Sequence, residues 1–167
     1  MFTASSLATQ APQLEEKTYN NLASALNNLG QFKEAILNYN KALKLNSNFA
    51  EAHFNLAKTL SDVERYEDAI ISYCKAIDLD PNLADSYNNR AAVFLNTGLI
   101  EKAINDLNRS IQLDPEFGLA FANRAVAYGL IDNVEMFEND LDMAVILGVE
   151  REAILSTISQ FMDAVQR

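Results

Sequence analysis

Three alanines, Ala35, Ala69 and Ala103, stand 34 residues apart, and around each the chain repeats one pattern of large apolar, small and turn-forming residues. Self-similarity at such a period means one supersecondary unit built several times, each copy burying its apolar face against the next. With position 1 placed at Glu16, Ala50, Ala84 and Gly118, four units cover residues 16–151. Position 4 then reads Tyr19, His53, Tyr87, Phe121; position 8 reads Ala23, Ala57, Ala91, Ala125; position 11 reads Leu26, Leu60, Phe94, Tyr128. A second stripe follows, with Phe32, Tyr66, Ile100, Val134 at position 17, Tyr39, Tyr73, Leu107, Leu141 at position 24 and Ala42, Ala76, Ser110, Ala144 at position 27.

Within each half-unit the apolar residues recur at i, i+3, i+4 and i+7, the spacing of a helix face. Small residues at positions 8, 20 and 27 let two helices approach closely. Gly30 and Gly98 fall where the first helix must stop and the chain reverse, as a left-handed C-terminal cap requires. Pro81 and Pro115 end the second helix. Each unit is therefore expected to be a pair of helices.

This register resembles the tetratricopeptide repeat, most specifically in "SYNNRAAVFLNTGLIEKAINDLNRSIQLDP" and "AHFNLAKTLSDVERYEDAIISYCKAIDLDP". The resemblance implies an all-α, right-handed superhelical solenoid of helix-turn-helix repeats, with units 16–49, 50–83, 84–117 and 118–151. The edges depart from the pattern. Ser47 replaces the closing proline of the first unit; the fourth has Phe137 at the alanine position, Asp132 at the glycine position and Val149 for proline. Residues 1–15 lack the features of a signal peptide and are expected to be an N-terminal tail. Residues 152–167 place Ile154, Ile158, Phe161 and Val165 on one face and are expected to form a capping helix.

Thirteen basic against 23 acidic residues give a formal net charge of −10, with no Lys/Arg cluster of the kind that neutralises phosphates, which argues against nucleic acid. No apolar run approaches a membrane span, so no membrane insertion is expected and a cytoplasmic location is. The lone Cys74 lies beside Tyr73 in a helix and reads as a packing residue. The one histidine, His53, takes a position that is aromatic in the other units and has no Ser or Cys partner. Metal-ligand spacing and glycine-rich phosphate loops are absent. The expectation is a protein without an enzyme's chemistry, cofactor or metal.

What the resemblance implies instead is a peptide groove, lined by the first helix of each unit through positions 2, 5, 6, 9, 12 and 13. Position 6 reads Asn21, Asn55, Asn89 and Asn123. A side-chain amide offers one acceptor and two donor hydrogens, enough to pair with a peptide main chain whatever its side chains. Asn20, Asn88, Phe54 and Lys58 extend the candidate site. Leu95, Leu119, Ala122 and Val126 form an apolar patch expected to take a ligand's side chains, unless the C-terminal helix or the N-terminal tail covers it. The expected function is a protein-interaction adaptor or scaffold for an extended partner segment; the alternative is a self-associating structural module, a homo-oligomer or part of a larger protein. Similar co-chaperones hold acidic C-terminal tails with Lys at position 2 and Arg at position 6 of the third first helix; here those positions are Asp85 and Asn89.

Position 7 reads Leu22, Leu56, Arg90, Arg124, and position 23 reads Asn38, Ser72, Asp106, Asp140. The charges occur together, which predicts an ion pair joining the two helices of the third and fourth units.

Overall fold

A computed structural model describes the backbone of residues 4–165 and the side chains of residues 14–163. The described residues form nine helices and no strand. They divide into two compact units, residues 1–81 and 82–167.

In the first unit α1 (Ala4–Asn28) pairs with α2 (Phe32–Leu45), and α3 (Ala50–Asp62) with α4 (Tyr66–Leu79). In the second, α5 (Ala84–Asn96) pairs with α6 (Ile100–Leu113), α7 (Gly118–Leu130) pairs with α8 (Val134–Ile146), and α9 (Arg151–Val165) follows. The fold is all-α and of the helical-repeat class. The segment expected to be a tail is helical from Ala4 onward, continuous with α1; its residues 1–3 lie outside the described ones, as do the side chains of residues 4–13 and of Val165.

The core follows the small positions. Ala23, Ala57, Ala91 and Ala125 are fully buried, as are Ala35, Ala69, Ala103, Ala42, Ala76, Ser110 and Ala144. Their size lets paired helices close on one another, and Tyr39, Tyr73, Leu107 and Leu141 fill the space beside them. Ser110 costs little at an alanine position because its hydroxyl donates to the Ala84 carbonyl at 2.9 Å. His53 is held in place as well, its Nε2–H donating to the Ser47 carbonyl at 3.1 Å.

Each first helix ends in the same reversal. At position 15 the backbone is left-handed in all four repeats: Gly30, Glu64, Gly98 and Asp132 have φ of 74°, 59°, 73° and 56°. The hydrogen bonds are those of a Schellman cap, for example Gln31 N–H to Leu26 O and Gly30 N–H to Asn27 O, repeated as Arg65 to Leu60 and Glu64 to Ser61. Glycine is thus convenient at this position without being required; Glu64 and Asp132 hold the turn at a local cost of about 1 kcal/mol. The second helices of the first three repeats stop at Asn46, Asp80 and Asp114, all extended at φ near −140°. Pro81 and Pro115 favour that conformation in the residue before them, and Asn46 adopts it before Ser47.

The fourth repeat departs by a paired change of size. Phe137 stands where the other repeats have a buried alanine, and Gly129 of α7 makes room for it: a Cβ there would lie 3.7 Å from the Phe137 ring and 3.0 Å from Ile158 Cδ1. Gly118 likewise allows close approach, since a Cβ would meet the Leu147 carbonyl at 3.1 Å.

Candidate peptide-binding site

The asparagines do not form four equal rungs. In the first unit Asn55 Nδ2 donates to Asn20 Oδ1 at 3.2 Å, and Asn20 Nδ2 donates to Glu51 Oε1 at 3.1 Å. In the second unit Asn123 Nδ2 donates to Asn88 Oδ1 at 2.9 Å, and Asn88 Nδ2 donates to Asn89 Oδ1 at 3.2 Å. Each unit therefore carries one pair, a position-5 asparagine on the earlier helix bonded to a position-6 asparagine on the next. Asn20 and Asn88 are only 2% and 4% exposed, so they brace their neighbours and are not themselves available as peptide contacts. Position 5 alternates Asn20, Phe54, Asn88, Ala122, and this alternation is the signal in the sequence that could have located the pairs.

Bonding to its brace fixes the orientation of each outer amide. Within each pair Asn55 and Asn123 leave an acceptor oxygen and a second N–H unused, and Asn89 leaves its NH2 group unused. Asn21 is exposed and Asn55, Asn89 and Asn123 are half-buried. Below the Asn55 pair the wall of the first unit is also tied together: buried Thr59 donates to Asn27 Oδ1 at 2.9 Å. Burial raises the pKa of the Tyr39 phenol above its ordinary value, against hydrogen bonds to Thr59 and Ser24 that work in the opposite direction. Tyr73 is raised by burial too, with a smaller contribution from Asp62, and Phe54 packs edge-on against its ring with centroids 6.0 Å apart. Lys58 is exposed beside these groups.

The apolar patch of the second unit differs from expectation. Leu95, Ala122 and Val126 are buried, and only Leu119, 55% exposed, remains open. The physical reason for Ala122 and Val126 is α9. Of the two helices of the repeat before it, α9 packs more on α7 than on α8, whereas α7 packs more on α6 than on α5, and in the first unit α3 packs more on α2 than on α1. Displaced toward α7 in this way, α9 brings Ala153, Ile154 and Thr157 over the patch and leaves a cavity of about 140 Å³ whose edge includes Leu119 and Asn123.

The arginines are structural. Arg90 Nε and Nη2 donate to the two Asp106 oxygens at 2.7 and 2.8 Å; Arg124 does the same to Asp140, both at 2.7 Å, and adds Asn108 Oδ1 at 2.7 Å. Burial disfavours the charge on Arg124, but the Asp140 bonds and charge, with Tyr128, outweigh it and hold its pKa above the ordinary value. Each guanidinium also lies against an aromatic ring, Arg90 on Tyr87 and Phe94 and Arg124 on Phe121. Neither is placed to hold a ligand carboxylate. Among the described residues no group of histidine, cysteine or carboxylate side chains could hold a metal ion, and no helix is long and apolar enough to cross a membrane.

A TPR repeat model matches residues 23–64 and 62–98, and a tetratricopeptide repeat model matches residues 84–117. The chain belongs to the tetratricopeptide repeat family. Its sequence matches no curated protein. Solved tetratricopeptide structures are similar to it. The pilF protein of Pseudomonas aeruginosa superposes with a TM-score of 0.78 at 19% identity, over 93% of this chain and 71% of that one. A MamA protein superposes with 0.72 at 26% identity, over 83% and 76%. The second TPR domain of human RPAP3, solved in complex with the HSP70 peptide SGPTIEEVD, superposes with 0.68 at 19% identity, over 70% and 98%. Tetratricopeptide repeats are in general protein-interaction modules without enzymatic activity.

Proposed function

We propose that this tetratricopeptide protein binds an extended segment of a partner protein on its first helices, with side-chain amides pairing to the ligand's main chain. The observation that carries the reading is the bracing of Asn55 by Asn20 and of Asn123 by Asn88, because an amide already held in one orientation loses little conformational freedom on binding. At about 0.5 to 1.5 kcal/mol per hydrogen bond, Asn21, Asn55, Asn89 and Asn123 would contribute a few kcal/mol, against roughly 8 for micromolar affinity. Apolar contact must supply the rest, and the opening edged by Leu119 is the place for one ligand side chain. The ligand differs in kind from the acidic-tailed peptide bound by RPAP3: Asp85 and Asn89 offer no cation, and Arg90 and Arg124 are committed to aspartates.

A paired pull-down tests the reading, with wild type beside Asn55→Ala/Asn89→Ala, both confirmed folded by circular dichroism and captured proteins identified by mass spectrometry. A partner specific to the wild type is expected to drop at least tenfold on the variant. Equal capture of the same partners by both proteins would remove the amides from the binding mechanism.

A further inference from the structure

Because α9 leans on α7, it stands apart from the start of α8. Between them lies a cleft of about 280 Å³, walled by Val134, Phe137, Leu155 and Ile158, with Asp132 and Asn133 also lining it. Its volume is close to the lower end for ligand pockets, room for one or two side chains. Its rim is apolar and open, Val134 being 57% exposed. The outer face of α9 has the same character. Leu155, Ser159 and Met162 repeat the large, small, large pattern that each first helix buries against its partner at positions 4, 8 and 11, and here all three are exposed.

The surroundings of the cleft are acidic. α8 carries Glu135, Glu138, Asp140 and Asp142 and no basic residue, and Asp132 precedes it. Asp140 is taken by Arg124 and Asp142 lies 3.7 Å from Arg151, while Asp132, Glu135 and Glu138 are exposed. The opposite chemistry lies on α2, where Lys33, Leu37, Lys41, Lys44 and Leu45 share an exposed stripe with Leu37 56% exposed. α2 holds three lysines against one acidic residue, Glu34.

We infer that copies of this chain associate head to tail, the lysine and leucine stripe of α2 of one copy seated on the acidic apolar cleft of the next. Leucine side chains enter between α8 and α9 while the lysines face Asp132, Glu135 and Glu138, a match of potential that sets orientation and encounter rate. The two surfaces are different, so the contact is heterologous and growth does not stop at a dimer unless a ring closes. Exposed charge pairs weaken as salt screens them.

Sedimentation velocity over a concentration series tests this, on wild type, Lys33→Glu/Lys44→Glu and Glu135→Lys/Glu138→Lys, all at exposed positions. The wild type is expected to gain mass with concentration at low salt, past the dimer, and to lose that gain at about 0.5 M salt. Each variant alone is expected to stay monomeric, and an equimolar mixture of the two, whose surfaces are again opposite in sign, to recover association. A wild type that remains monomeric throughout, or association that survives both charge reversals, would overturn the inference.

Discussion

Replacing Asp140 with alanine is expected to destabilise the protein by about 3 to 5 kcal/mol, the usual cost of stranding one member of a buried ion pair. For a chain of this length that is a fall of roughly 6 to 20 °C in melting temperature. The loss comes chiefly from Arg124, which is left buried with Asn108 as its remaining hydrogen-bond acceptor. The pair itself contributes far less than its removal costs, because both charges were taken out of water to form it. The first unit shows the apolar solution: Leu56 stands where Arg124 does, Ser72 where Asp140 does and Asn40 where Asn108 does. The double change Arg124→Leu/Asp140→Ser copies that arrangement and is expected to return to within about 1 kcal/mol of wild type. Urea denaturation of the three proteins checks both statements. A double variant as unstable as Asp140→Ala would show that the charges do more than fill a space between helices.

Shortening Ile154 to alanine is expected to cost about 2 to 5 kcal/mol, since it is buried between α9 and α7 and leaves a void that the helices can only partly close. Leu155→Ala, one residue on but facing outward, is expected to cost less than about 1 kcal/mol. Denaturation midpoints of the two variants separate α9 as a cap from α9 as a loosely held strap. Deleting residues 152–167 sharpens the distinction. A cap leaves a protein with a lower melting temperature and no gain in binding; if stability holds while peptide affinity rises, α9 is an internal competitor for the α7 face.

The sequence carried most of the fold because the repeat states each decision several times. An alanine at position 8 or 20 has one physical use, close helix approach, and its recurrence, in four repeats at position 8 and in three at position 20, separates it from chance. The ion pairs were legible for the same reason, since Arg90 and Arg124 vary together with Asp106 and Asp140. The turns were legible only where glycine marks them; Glu64 and Asp132 take the same left-handed conformation with nothing local to announce it.

The candidate site was less legible. Position 6 reads asparagine four times, yet whether an amide faces a ligand or a neighbour depends on position 5 of the helix before it. That relation spans 35 residues and mixes two columns of the repeat. Likewise Leu119, Ala122 and Val126 are equally apolar in sequence; which of them is open is decided by how far α9 leans, and no periodicity encodes that angle.

Peptides selected on the wild-type protein from a random twelve-residue display library, mapped through the side-chain NH2 resonances of isotope-labelled protein, test the central claim most directly. Binding is predicted to shift the amides of Asn55, Asn89 and Asn123, with Asn55→Ala/Asn89→Ala weakening it at least tenfold while the fold persists. Selected peptides that bind with those resonances unmoved, and as tightly to the variant, would contradict it.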